Sequence, residues 1–276
     1  MDQFMTELQG SIGILKNPDV VGYLLGGLAF TLGISCITIV LSVIIGAVLA
    51  LVRNYCTSGP ARILQKLASA YIELFRNTPL MLWMFVCFVM CPAPAFSKGF
   101  AKLLGFSSTV AVKTLFKAIV AFTLFTSAIM AEIIRGGIFS IDKGQFEAAH
   151  AIGMTHWQTM TTVVLPQAIR NILPSVGNEL IVNIKDSSVL NVISVSELFF
   201  QAKSAAGAYY RYFEVYFIIA VIYLILTLTV SRILRFIEQK MDGPDNYVIH
   251  GSQSDSRAEI VVSRENAEEV EKRWNQ

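Results

Sequence analysis

Glu179, Asn183 and Asp186 stand at i, i+4 and i+7, so on a helix they share one face. Lys185, Ser187 and Ser188 lie among them, inside a largely apolar run from about Ile172 to Phe200. Carboxylates of this kind can hold an ammonium group. Hydroxyls and the free amides of a helix N-terminus can hold a carboxylate. The Asp-Ser-Ser order predicts a new helix N-terminus near 186–188, capped by Asp186 or Ser187. A charge at the centre of a bilayer costs roughly 2.5–3.5 kcal/mol. If this run crosses a membrane, its charges must face protein or water. Two readings stand. One is a structural Lys185–Asp186 pair at a helix break. The other is a path for a polar solute, and the rule that intramembrane charge is functional by default favours it.

The rest of the chain supplies the membrane. Of its 276 residues 54% are hydrophobic and only 15% charged, where a soluble domain carries about 25%. The apolar residues are gathered into long runs. A net charge of +2 is too small to argue for nucleic acid. Five spans are predicted: Val20–Val52, Leu80–Phe96, Ala118–Ile134, Ile172–Phe200 and Phe213–Ile233. In the first, Gly22-xxx-Gly26 and Gly46-xxx-Ala50 are small-xxx-small pairs suited to close helix contact. Residues 54–79 read as an amphipathic interfacial helix, and Thr78-Pro79 starts the next one. Residues 97–117 read as a loop or surface-lying helix, and Glu197–Arg211 as a short polar loop. Cys36, Cys56, Cys87 and Cys91 suggest neither a disulfide framework nor a metal site. Residues 1–19 form an external segment without the features of a cleaved signal peptide. Residues 241–276 form a polar tail, flexible or loosely attached, in which Arg264–Trp274 could be a short charged helix.

Two acid–base pairs sit at i, i+3 near span ends: Glu73 with Arg76, and Glu132 with Arg135. Each is either an interfacial ion pair or part of a gate.

Asp142–Pro174 is a polar stretch between apolar runs. Asp142 and Gln145 resemble a capping box, Thr155 and Gln158 form a proper one, and Gly153 suits the left-handed residue that ends a helix. The reading is helix, tight turn, helix, with Pro166 closing the second. Five spans put the termini on opposite sides. With Arg53, the hairpin and the C-terminus inside, 14 Lys and Arg lie inside and 7 outside. The positive-inside rule therefore makes the hairpin and the C-terminus cytoplasmic and the N-terminus external.

Glu147-Ala148-Ala149, Gly153, Val163, Leu165 and Pro166 resemble the EAA-G-I-LP signature of permease subunits of ATP-binding cassette importers, with Val163 in the isoleucine position. Tyr71–Leu82, Ala131–Ile138 and Ile184–Val189 are similar to elements of the polar amino acid branch, the histidine/glutamate/glutamine type. The resemblance spans about residues 20–240. It implies an all-α integral membrane protein with the five-helix type I importer permease fold, in the cytoplasmic (inner) membrane of a bacterium. The hairpin at 142–166 would be a coupling helix docking on a cytoplasmic ATPase. There Glu147 would pair with basic or backbone donors, and Ala148 and Ala149 would allow close approach. The implied partners are two ATPase copies, a second permease subunit of the same or a related chain, and an external amino-acid-binding protein. The chain has no Gly-x-x-x-x-Gly-Lys-Ser/Thr loop, so ATP and Mg are expected in the ATPase. The solute would be glutamine, glutamate or a similar amino acid. Trp83 departs from the branch, which often has glutamine there.

An intramembrane enzyme would need a nucleophile–base or metal set. His150, His156 and His250 all lie in the hairpin or the tail. A stand-alone channel would need no docking hairpin, and a secondary transporter would usually show an internal repeat, which is not seen.

Overall fold

The computed structural model describes residues 10–56, 58–92, 109–242, 248–250 and 259–261. Its first long helix, α1 (Pro18–Tyr55), begins where Asn17 accepts the Asp19 amide at 3.0 Å and Pro18 takes the first turn. Arg53 sits in its last turn. The next helix, α2 (Ala61–Arg76), buries Ala68, Ile72 and Phe75 and exposes a second apolar stripe through Ile63, Leu67 and Leu74. Pro79 then starts α3 (Leu80–Met90), bent by 113° from α2. Thr78 braces the bend. Its hydroxyl donates to the Leu74 carbonyl at 2.6 Å and accepts from the Trp83 indole at 2.6 Å. The Trp83 ring stacks on Phe75 at 4.2 Å, which gives this unusual residue a packing role. The part of the second predicted span beyond residue 92 lies outside the described residues.

α4 (Thr109–Phe139) starts before the predicted span, so residues 109–117, read as part of a loop or surface-lying helix, are continuous with it. It packs along α1. α1 buries four hydroxyls fully, Thr31, Ser35, Thr38 and Ser42, and Ser42 donates to the Thr123 carbonyl of α4 at 3.2 Å. Gly46 lies where a side chain would collide with Met130, so its predicted contact role stands. Gly22 and Gly26 have nothing within 4 Å of an added Cβ within this chain. That pair makes no close helix contact among the described residues.

After the short α5 (Lys143–Ala151) comes α6 (Leu165–Asp186), followed by a 3₁₀ segment Ser187–Ile193. Then come α7 (Leu198–Tyr209) and α8 (Tyr212–Asp242). The fourth predicted span is therefore not one helix. Ser194 breaks it in the left-handed region at φ 61°. The predicted polar loop 197–211 is mostly α7, whose apolar side (Leu198, Ala202, Ala206) packs against Val20 and Leu24 of α1. Among the described residues three helices are long and apolar enough to cross a membrane: Pro18–Tyr55, Val110–Phe139 and Tyr212–Glu238. The bent pair α2–α3 is a candidate fourth.

The chain divides into two compact units, residues 1–231 and 232–276. In the second, Val248–His250 pairs antiparallel with Glu259–Val261. These are the only strands among the described residues. The predicted Arg264–Trp274 helix lies outside the described residues.

Candidate functional site

The polar residues of the 179–188 stretch part company once they are on the helix. Glu179 and Asn183 are buried, with 8% and 2% of their surface exposed. The Asn183 carbonyl oxygen accepts the Thr126 hydroxyl of α4 at 3.0 Å. Its Nδ2 has no hydrogen-bond partner among the described residues. A buried amide donor left unpaired costs about 1–3 kcal/mol. Glu179 is near enough to Asp186 for their charges to interact.

Lys185 and Ser188 face elsewhere. They line a separate cavity of about 370 Å³ with Phe199, Tyr216 and Tyr223. At about 100° per residue, Lys185 lies some 200° around the helix from Asn183. Ser187 is buried and donates to the Ile184 carbonyl at 2.8 Å. Neither Asp186 nor Ser187 caps a new helix, since α6 winds directly into the 3₁₀ segment. The helix start lies further on, at Glu197, whose carboxylate accepts the amides of Phe199 and Phe200 at 2.8 and 2.6 Å. Sequence reasoning missed Glu197 because glutamate is not among the favoured N-caps.

A second cluster gathers three arginines on one carboxylate. Glu132 of α4 pairs with Arg53 of α1, with Arg135 at 3.0 Å and with Arg76 of α2 at 3.6 Å. The predicted Glu132–Arg135 pair forms. The predicted Glu73–Arg76 pair does not, because Arg76 reaches the less exposed carboxylate instead, and Glu73 has no ion pair among the described residues. Beside this cluster, Glu132, Gly136, Gly137, Ser140, Asn171 and Ser175 help line a cavity of about 490 Å³. α4 and α6 meet closely there, since any side chain at Gly137 would strike Ile172.

The hairpin is built as its capping signals predict. Asp142 accepts the Gly144 amide at 2.6 Å. Gly153 has φ +83°. The amides of Gly153 and Met154 bond back to the carbonyls of His150 and Ala149, at 3.0 and 3.1 Å, which is a Schellman ending. Thr155 and Gln158 complete a reciprocal capping box. Pro166 does not close the second helix. The turn at His156–Gln158 runs through a π-helical segment, Thr159–Val164, straight into α6, whose first turn tolerates the proline. The whole is seated by Ile141, Met160, Val164 and Ala168.

Glu147 and Ala148 are exposed, whereas Ala149 packs inward at 4% exposure. Only Ala148 of the two alanines is thus free for an approaching surface. Leu165 is half-buried and Pro166 exposed. Ile152 and Trp157, which the motif did not single out, stand 79% and 76% exposed at the tip.

Long apolar helices around a buried polar face, with a rigid hairpin presented to solvent, define a membrane protein of the solute-transport class. The comparisons with known proteins agree. Residues 42–243 match the family described as binding-protein-dependent transport system inner membrane component, and the chain belongs to that family. It is 36% identical over 225 residues to the arginine transport system permease protein ArtQ of Bacillus subtilis, covering 82% of this chain and 95% of that one. A Rickettsia bellii chain, assigned provisionally to glutamine transport, is 33% identical and covers 83% and 97%. Among solved structures, an amino acid ABC transporter crystallised with histidines superposes with a TM-score of 0.68 at 35% identity, covering 82% of this chain and 98% of that one. The methionine transporter MetNI, in an inward-facing form, shares the fold, with a TM-score of 0.58 at 20% identity, covering 80% and 99%. The chain is an integral membrane permease subunit of an amino acid ABC importer, and not itself an enzyme.

Proposed function

We propose that this permease carries a polar amino acid of the glutamine or glutamate type along the Glu179–Asn183–Asp186 face of α6, driven by ATP hydrolysed elsewhere. The observation that carries the reading is the buried, unpaired Asn183 amide beside a buried carboxylate. An amino acid offers its own carboxylate to the first and its ammonium to the second. Glu179 or Asp186 takes the ammonium and Asn183 the carboxylate; Lys185 and Ser188 serve the separate cavity they line on another side of the helix, and Ser187 holds the turn between the two. A cationic amino acid is the second reading. Two carboxylates on one face favour it, as does the arginine transporter relative.

The chain lies in a bacterial inner membrane with five spans, the N-terminus outside and the C-terminus in the cytoplasm. It pairs with a second permease subunit. Two ATPase copies, holding ATP and Mg, dock on the hairpin through Glu147, Ala148 and the exposed Ile152 and Trp157, with Gly153 setting the turn and Leu165 and Pro166 its base. An external binding protein delivers the solute. In this reading Glu132 and its arginines are the gate-side brace between α1, α2 and α4.

The test uses the assembled transporter in vesicles with ATP inside the lumen facing its ATPase. Uptake of radiolabelled glutamine and arginine is compared in wild type and in Asp186→Ala and Asn183→Leu. Loss of uptake with intact assembly is expected; wild-type uptake in both variants overturns the α6 path. Separately, Glu147→Lys should abolish copurification of the ATPase. Its full retention would refute docking at the hairpin and favour a stand-alone channel.

A further inference from the structure

Glu197 is fully buried, yet no cation approaches it among the described residues. Its partners are all neutral donors: the Phe199 and Phe200 amides and, at 3.4 Å, the Tyr223 hydroxyl of α8. Capping α7 alone would be served by Ser, Thr or Asp. Ser and Thr would bury no charge, and burying charge is costly. What the longer side chain adds is the reach to Tyr223. That hydroxyl also meets the side chains of Ser187 and Thr31, both fully buried. Thr31 in turn accepts the Leu198 amide at 3.2 Å. The phenol is thus hydrogen-bonded to the cap of α7 and lies beside buried hydroxyls of α1 and of the 3₁₀ segment. Ser187 lies between Asp186 and Ser188, and the Tyr223 ring itself walls the cavity that Lys185 and Ser188 line.

We infer that Glu197 and Tyr223 are a positioning pair that holds the 185–188 segment in the register needed to bind the transported amino acid. The inference rests on the α6 path proposed above. Tyr223 acts on Ser187 directly, while Glu197 acts through Tyr223 by fixing its hydroxyl. Because the two work in series, losing either should have the effect of losing both.

The test is equilibrium binding of radiolabelled glutamine or arginine, whichever the wild type takes up, to the purified permease–ATPase complex without its binding protein. Tyr223→Phe removes one hydroxyl and keeps the ring and the α7 cap. Glu197→Ser keeps a capping oxygen but cannot reach Tyr223. Each should weaken binding about tenfold, and the double variant no more than either alone. Tyr223→Phe should lower the thermal midpoint by no more than a few degrees, as one lost buried hydrogen bond does, and both single variants should copurify with the ATPase at wild-type yield, so that the lost affinity is not lost fold. A wild-type affinity for Tyr223→Phe overturns the inference, as does a double variant about a hundredfold weaker. Asn183→Leu measured alongside separates the two levels. If Asn183→Leu weakens binding and Tyr223→Phe does not, the positioning pair alone fails. If neither does, the α6 path fails with it.

Discussion

Adding one methyl group at Gly46 should destabilise the protein, although alanine is the better helix former. An ideal Cβ at Gly46 falls 2.6 Å from the Met130 Cβ and 3.0 Å from the Ala131 amide nitrogen. Carbon atoms settle at about 3.5–4.0 Å. Relief therefore requires α1 and α4 to part by roughly 1 Å at a point where Met130 is fully buried. Neither neighbour can simply rotate away, since the contacts are to backbone and to a Cβ. Overpacking of this kind costs about 1–3 kcal/mol, and the gain in helix propensity returns at most about 1 kcal/mol. The balance is a loss of up to about 2 kcal/mol, or up to roughly 4–8 °C for a chain of this size. Gly22→Ala is the matched control on the same helix, where the added methyl meets nothing within 4 Å. Thermal denaturation of the two purified variants in one detergent reads the difference. The reasoning is refuted if Gly46→Ala melts at or above wild type, or if Gly22→Ala falls as far.

Gly153→Val should lose about 1–2 kcal/mol, because a β-branched residue at φ +83° is strained whatever the space around it; weaker ATPase copurification together with a lower melting midpoint checks it. Thr155→Ala removes the capping oxygen from the second hairpin turn and should lose about 1 kcal/mol in the same melt. Glu132→Gln leaves three guanidinium groups facing one another and should lose about 1–3 kcal/mol, an estimate reduced for their partial exposure. Adding Arg135→Gln should then recover part of that loss, and a double variant no better than the single would show that the charges do not interact.

Features encoded within a few residues were legible. The Asp142 and Thr155 caps and the Gly153 turn are local hydrogen-bond choices, and each forms where the spacing places it. What failed was non-local. Glu73 and Arg76 are neighbours in sequence, but Arg76 finds a carboxylate 56 positions away, and Arg53 joins the same group from another helix. Pro166 reads as a terminator because nothing in its spacing announces the π-helical segment that carries the chain past it. α7 was hidden for a related reason: its cap is a glutamate, and its apolar side is visible only against α1. The division of Lys185 and Ser188 from Glu179 and Asn183 was available from helical periodicity, which separates the two sets before any packing is known.

The π-helical passage from the hairpin into α6 has a mechanical consequence. No loop intervenes between Thr155 and Asp186, so a displacement at one end is passed along the helix to the other, with Pro174 an interior position where it can bend. From Leu165 to Asn183 the helix rises about 27 Å. A tilt of about 5° at its base would therefore swing the Asn183 amide by roughly 2 Å, enough to make or break a hydrogen bond. The stretch is a lever with its short arm in water and its long arm among the buried polar groups. Its stiffness sets how faithfully a push on Trp157 arrives there.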